Sequence, residues 1–502
     1  MNDPEADAAV RAEAAEPGAT TVVDKSVVAR STRHTALAQG LSQLLRFLTS
    51  LVLARILTPH DFGVVAVAIV LTMLVDQLKD LGTSSALIQR PTVDRVLLNS
   101  VFFANVAVGA VVAGLMVVLA VPLAQGFGIP ESAPVIRAFA AITFITALGK
   151  VHESMLRRTM QFRAVAVSTI ANALVSTVVS VACAFAGMSY WAIVVGTGAG
   201  SVVGTVLFWR YERWRPGLQT SMASIRSIWR FSYHVSLVAI LYVVWSQMDK
   251  LIVSRFLGTV SLGYYTMAQR LVNTPLTSIG SVIGQVTLPA FARRQDEHDA
   301  LRAGLIRSSA IVALVTFPLM FGLAAVAEPL VPVVLGDNWG DVVPVIWILA
   351  PVGAVWSTTF NTDQLLLAKG RSDWSWRWGA VHLVLLGVLE LLGTRWGMLG
   401  VAGGYAVGTV LLTPFTLLIA LKPIGGGLRP FTLALWPYAW RATAMAGCVL
   451  AVVDGLGAHG SGDLVRLLAG LVTGVAVYGG LLLLGRPAAV GDALTALHRR
   501  TS

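Results

Sequence analysis

The sequence predicts an all-α polytopic membrane protein. About fourteen transmembrane helices form two six-helix lobes related by a parallel pseudo-twofold repeat, and two extra helices follow at the C-terminus. Three observations predict it. Charge is scarce: 13% of the 502 residues are charged and 56% hydrophobic, with a mean hydropathy of +0.73. Soluble proteins carry about 25% charged residues, and a large soluble core would still need polar cover. Apolar windows of about 20 residues, the length that crosses a hydrocarbon core, recur between short turns bearing Gly or Pro. Finally, a segment beginning at Leu51 recurs 200 positions later.

Residues 1–34 are acidic and Ala-rich with no apolar core, and read as a disordered cytoplasmic tail. Arg30, Arg33 and His34 lead straight into a full-length span, so no cleavable signal peptide is expected. The spans fall near 35–57, 62–80, 97–120, 133–151, 163–187 and 190–209 for an N-lobe (35–209). After an interlobe linker (210–228) come 229–251, 262–288, 306–327, 342–367, 377–394 and 398–421 for a C-lobe (229–421). The segment 422–502 adds 436–456, 464–485 and a second tail.

An even span number puts both termini on one side of the membrane. Of the 37 Lys and Arg residues, 29 fall on that side, 6 on the other, and Arg46 and Arg270 inside spans. Basic loops stay cytoplasmic, so both termini are placed in the cytoplasm. The same bias accounts for the net charge of +11, and no nucleic-acid partner is needed. Cys183 and Cys448 sit in apolar windows and read as small buried residues. The aromatic clusters Trp209/Tyr211/Trp214, Trp374/Trp376/Trp378 and Trp436/Tyr438/Trp440 read as interfacial anchors.

The repeat carries the architecture. Residues 51–68 read LVLARILTPHDFGVVAVA and 251–268 read LIVSRFLGTVSLGYYTMA. Leu51, Arg55, Leu57, Gly63 and Ala68 match Leu251, Arg255, Leu257, Gly263 and Ala268. Each copy ends one span, turns, and starts the next. Six spans separate the copies, so equivalent helices keep one membrane direction, the mark of a parallel repeat about the membrane normal. Two such bundles enclose a central cavity that rocking exposes to either side.

The stretches Leu53-Ala54-Arg55-Ile56-Leu57-Thr58-Pro59-His60-Asp61-Phe62-Gly63, Asp80-Leu81-Gly82 and Ala86-Leu87-Ile88-Gln89-Arg90 form a first signature. Asp249-Lys250-Leu251-Ile252-Val253, Leu257-Gly258, Gly263-Tyr264-Tyr265 and Ala268-Gln269-Arg270-Leu271 form a second. Together they resemble the multidrug/oligosaccharidyl-lipid/polysaccharide exporter superfamily, and within it the polysaccharide transporter branch of Wzx-type flippases. That resemblance implies movement of an undecaprenyl-diphosphate-linked oligosaccharide from the cytoplasmic to the outer leaflet, for cell-surface polysaccharide biosynthesis. It implies membrane lipids, and the polymerase and glycosyltransferases of the same pathway, as partners.

A charge at mid-bilayer costs about 2.5–3.5 kcal/mol on insertion scales, so it faces a cavity or a partner. Arg46 is the clearest case: Gln39, Gln43, Arg46 and Ser50 share one helical face. Arg270, Asn273, Thr277, Ser281 and Gln285 repeat the idea in span eight, and Asn172, Ser176 and Ser180 more mildly in span five. A guanidinium forks to two oxygens, which suits a diphosphate, while amides and hydroxyls replace water around sugars. The competing reading is that these groups only join helices.

Asp76, Lys79 and Asp80 near the cytoplasmic end of span two are gate or ion-coupling candidates. So are Asp249, Lys250 and Arg255 near the outer end of span seven. Interfacial salt bridges compete in both places. His234, His382, Asp363 and Glu390 are further candidate proton or cation carriers. No Walker A loop, H-E-x-x-H, C-x-x-C or D-x-D appears, so no cofactor, catalytic residue or metal site is expected. A related multidrug or peptidoglycan-precursor exporter remains an alternative, although a cation exporter should show acidic mid-span charges. An integral-membrane polymerase or glycosyltransferase is a third reading, and it should show a long catalytic loop.

Overall fold

The computed structural model describes residues 25–80, 87–88, 90 and 92–485, with side chains from Ala38 onward excepting 79–80, 224, 227–241, 286 and 372. Among the described residues the fold is all-helical. The first group comprises α1 (Lys25–Ile56), α2 (Pro59–Asp80), α3 (Arg95–Val118), the short α4 (Ala120–Gly126), α5 (Ser132–Arg158), α6 (Phe162–Phe185) and α7 (Trp191–Tyr211). The second comprises α8 (Met222–Ala292), α9 (His298–Ala325), the short α10 (Ala327–Val334), α11 (Val342–Ser357), α12 (Thr362–Ala368), α13 (Ser372–Gly393) and α14 (Gly397–Leu421). α15 (Leu428–Ala458) and α16 (Asp463–Gly485) complete the chain.

Ten stretches of the described residues are long and apolar enough to cross a membrane, one of them (Asp373–Ile424) holding both α13 and α14. α1 begins at Lys25, so the expected disordered tail is helical over its last ten residues. The remainder of that tail lies outside the described residues, as do Leu81 to Ala86 and Gln89 of the first signature. The helix runs on because nothing in Lys25–His34 breaks it: no Gly or Pro interrupts the turn-by-turn hydrogen bonding.

Local chemistry sets the helix ends. Asp61 and Thr58 cap α2 reciprocally: Asp61 Oδ2 accepts from the Thr58 amide at 2.8 Å, and Thr58 Oγ1 accepts from the Asp61 amide at 3.3 Å. This is a capping box with Asp in place of Glu. Asp94 caps α3, accepting from the Leu97 amide at 2.8 Å. Helix α8 is two helices that fold back on each other at Gly258, where φ is 80° and ψ −175°, so that Tyr265 and Gln269 of the second reach Asp249 of the first. Only glycine adopts such a φ readily. The break falls 200 positions after Thr58, so both copies of the repeat turn at the same place.

Helices α6 and α7 meet along Gly196, Gly200 and Gly204. A Cβ on Gly200 would lie 2.9 Å from the Ser176 Cβ, and one on Gly196 would run into the Ser176 carbonyl at 2.7 Å and the Ser180 hydroxyl. Small residues every fourth position let two membrane helices approach to backbone contact. Ser176 and Ser180 therefore lie in a helix seam, not on a cavity wall.

The two groups join chiefly where α2 packs on α8. A Cβ on Gly63 would strike the Thr259 carbonyl, and one on Gly263 would strike the Pro59 carbonyl. Each glycine thus abuts the residue that opens the other's helix. The exchange recurs nearby. Arg55 at the end of α1 donates to the Val333 and Val334 carbonyls that end α10. Gly128, just beyond α4, lies against the Ser254 and Arg255 carbonyls of α8.

The aromatic clusters divide. Trp376, Trp436 and Trp440 are exposed, as anchors should be. Trp209 instead stacks on His152 with centroids 4.2 Å apart and donates to the Leu148 carbonyl, with Trp214 beside it. Tyr438 is buried. Cys183 is half-buried, but Cys448 is exposed on α15, contrary to its reading as a buried residue.

Candidate functional site

Helix α1 exposes two opposite faces of opposite character. Leu41, Leu44, Leu48 and Val52 are 45–51% exposed on one. Gln39, Gln43 and Arg46 are exposed on the other. Between them Ala38, Ser42, Leu53 and Ala54 are buried. At 100° per residue the two exposed stripes lie about half a turn apart. An apolar stripe of leucines suits hydrocarbon, whereas three polar side chains at the same depth need water or partners. A helix wall between lipid and an aqueous cavity has this pattern.

The second half of α8 exposes a polar stripe as well, beside the exposed Val282. Thr277, Ser281 and Gln285 are exposed; Arg270 and Asn273 are half-buried on the same face. Val272 and Leu276 on the other side are buried. α1 and α8 also touch. Arg46 Nη2 donates to Asn172 Oδ1 at 2.8 Å, joining two predicted cavity residues. The exception in the α1 stripe is Ser50, which is buried and returns its hydroxyl to the Phe47 carbonyl.

Beyond Asn172 a cavity of about 340 Å³ opens among α2, α5, α6 and α7, lined by Asp76, Gln77, Lys150, Glu153, Asn172, Ser201 and Phe208 among others. Within it Glu153 takes Arg157 at 2.7 Å and Lys150 at 3.7 Å. Asp76 is thus part of a lined cavity and not merely one end of an interfacial pair. The side chains of Lys79 and Asp80 lie outside the described residues.

Asp249 is no interfacial salt bridge. It is 6% exposed, and its carboxylate accepts from the Tyr265 hydroxyl at 3.2 Å, the Gln269 amide and the Lys250 backbone N–H at 2.7 Å. Lys250 Nζ donates instead to Gln247 at 2.6 Å. Glu390 on α13 is 1% exposed, its Oε2 has no hydrogen-bond partner, and it lies within the electrostatic field of Asp249. Lys250 in turn feels both Asp249 and Arg270. Asp363 accepts from Ser375 at 2.6 Å, and His382 packs edge-on to Trp245 and Trp378. The side chain of His234 lies outside the described residues.

The opposite end of the site closes through residues that sequence reasoning passed over. Asp61 is buried and also accepts from the Ser189 hydroxyl and the Tyr190 amide. Trp339 is fully buried, donates to the Ala54 carbonyl at 2.8 Å, and packs edge-on to Phe62 and Tyr264. The Thr58-x-x-Asp61 spacing was the available signal for the first; Trp339 had none. Of the two repeat arginines, Arg55 bridges to α10, while Arg255 is exposed over the Phe256 ring.

Both the sequence and the fold have known relatives. The sequence profile of a family described as polysaccharide biosynthesis protein matches residues 52–344. The lipopolysaccharide biosynthesis protein WzxC of Escherichia coli K12 is 27% identical over 393 residues, 77% of this chain and 79% of that one. The succinoglycan biosynthesis transport protein ExoT of Rhizobium meliloti is 27% identical over 467 residues, covering 93% and 94%. Among solved structures, the lipid II flippase MurJ in an inward closed conformation superposes with a TM-score of 0.71 at 12% identity, covering 90% of this chain and 98% of that one.

Proposed function

This chain belongs to the polysaccharide biosynthesis protein family, and from that premise we propose that it flips a polyprenyl-diphosphate-linked oligosaccharide from the cytoplasmic to the outer leaflet of the inner membrane. The observation that carries the reading is the pair of opposite exposed stripes on α1, leucines on one face and Gln39, Gln43 and Arg46 on the other. Arg46 and Arg270 hold the diphosphate, the amides and hydroxyls around them meet sugars, and the polyprenyl tail stays in lipid. Of fourteen spans, twelve form two pseudo-twofold lobes, 35–209 and 229–421, that carry the motion, with α15 and α16 outside them. The reciprocal glycine contacts of α2 and α8 support that symmetry. Both termini are cytoplasmic, so the Gly63/Gly263 junction, Arg55 and Trp339 close the outer side. The state described is therefore open inward. A multidrug reading gains nothing here, since the exposed polar stripe of α1 carries an arginine and no acid.

Single cysteines test the cavity. In a chain with Cys183 and Cys448 changed to Ala, Gln43→Cys should react with a membrane-impermeant maleimide in inside-out vesicles, and Leu44→Cys should not. Equal labelling of the two would remove the two-faced helix from the case.

The buried Asp249–Glu390 pair is the proposed coupling site, because a proton or cation bound there changes the field on Lys250 and hence on Arg270. The membrane potential offers about 2.3 kcal/mol per charge per 100 mV, enough to bias such a cycle. Asp249→Asn with Glu390→Gln should cut stimulation of transport by an imposed proton or sodium gradient at least tenfold in proteoliposomes. Binding of undecaprenyl diphosphate should persist, at an affinity that no longer depends on pH or sodium, which shows that the variant folds. Undiminished stimulation in the double variant would exclude the pair.

A further inference from the structure

We propose that the cavity among α2, α5, α6 and α7 is the seat of the lipid-proximal sugar of the glycan, separate from the arginines that take the diphosphate; this rests on the flippase reading above. Its volume of about 340 Å³ lies at the small end of the roughly 300–1,000 Å³ typical of ligand pockets. That suits a sugar unit or two and not a whole repeat unit.

The lining selects the class of occupant. Asp76 and Glu153 as carboxylates only accept hydrogen bonds; with Lys150 and Arg157 paired to Glu153, the lining offers a diphosphate no excess of positive charge. Sugar hydroxyls donate to the carboxylates. Gln77 and Asn172 present both an acceptor and donors, Ser201 a hydroxyl, and Phe208 an apolar wall for the C–H face of a ring. A neutral polyol satisfies this mixture; a diphosphate does not. A bound metal cation fits poorly too, because Glu153 is already neutralised by Arg157 at 2.7 Å and Lys150 at 3.7 Å.

Position agrees with chemistry. Asn172 lines this cavity, and its Oδ1 takes the Arg46 guanidinium at 2.8 Å. In a polyprenyl-diphosphate glycan the first sugar is bonded directly to the second phosphate. A diphosphate on Arg46 therefore delivers that sugar to the neighbourhood of Asn172. The amide marks the boundary between a basic chamber for the linkage and a carboxylate-lined chamber for the first ring. Gly149 and Gly204 keep the space open, since side chains there would meet Thr205 and Asn172.

Binding to the full chain in lipid nanodiscs tests this with four probes: undecaprenyl diphosphate and its glucose, galactose and N-acetylglucosamine conjugates. The wild type should bind at least one conjugate tenfold more tightly than the bare lipid. Asp76→Asn, which keeps the side-chain shape, and Gln77→Ala should each remove at least fivefold of that preference while leaving bare-lipid affinity within twofold. That unchanged affinity also certifies that the variants fold. Arg46→Ala should weaken all four probes alike. A preference that survives in both pocket variants, or no preferred conjugate in the wild type, overturns the proposal. Failure of the wild type to bind even the bare lipid sinks the flippase reading, and the sugar seat with it.

Discussion

Replacing Arg46 or Arg270 with Ala should abolish glycan export while protein abundance stays near that of the wild type. The expected size follows from what each guanidinium does. Removing one partner of a desolvated, hydrogen-bonded charge pair costs about 2–5 kcal/mol, and about 1.4 kcal/mol is tenfold in affinity. Each arginine should then be worth at least some 30-fold in affinity for undecaprenyl diphosphate, measured on purified protein. Folding should suffer little. Arg46 is exposed and makes one hydrogen bond, to Asn172, and Arg270 lies half-buried on the open face of α8.

Lysine substitutions separate charge from geometry. A lysine keeps the charge but loses the planar fork that grips two phosphate oxygens. Arg46→Lys is expected to restore export only in part. Full export by both alanine variants would show that neither residue meets the substrate.

Much of this was legible in the sequence because membrane helices make polarity expensive. Arg46 and its neighbours stood out against leucine, and the structure puts three of the four on an open face. The repeat was legible because Gly at that spacing does work that other residues cannot, whereas the matching Arg55 and Arg255 meet different surroundings. Gly63 and Gly263 admit a carbonyl where any side chain would collide. Periodicity names a helical face, however, and not what covers it. Asn172, Ser176 and Ser180 have one spacing, yet Asn172 borders the cavity while Ser176 and Ser180 fill a glycine seam against α7.

Asp249 lies deeper than its place in the chain suggests, for a related reason. Its nearness to a turn suggested an interfacial ion pair, but its partners Tyr265 and Gln269 arrive from beyond the Gly258 break and bury it. Of the cavity among α2, α5, α6 and α7 only Asp76 and Asn172 stand out in the sequence, since each helix gives it one to a few polar residues that only the packing brings together.

The second large effect concerns closure. Gly63→Leu or Gly263→Leu should abolish transport and leave the outer side open. In the closed state a Cβ at either position overlaps a backbone carbonyl, Thr259 in one case and Pro59 in the other. A carbonyl at a helix start cannot swing aside as a flexible side chain could. Overpacking of this kind typically costs about 1–3 kcal/mol. The open state avoids the contact, so the equilibrium should shift toward it by roughly 5- to 150-fold. Pseudo-symmetry sharpens the expectation: the two substitutions should act alike, and the double variant should be no worse than either, because both break one junction.

Ser254, 1% exposed and packed against Gly128, serves as reporter. In a chain lacking its native cysteines, Ser254→Cys should resist an impermeant maleimide added from outside. With Gly63→Leu it should be labelled. The controls are size-exclusion profile and undecaprenyl diphosphate affinity, which an intact inward cavity keeps near wild type. Full transport by Gly63→Leu with the Ser254→Cys reporter left unlabelled would mean that α2 and α8 do not part during the cycle, and alternating access through this junction would have to be abandoned.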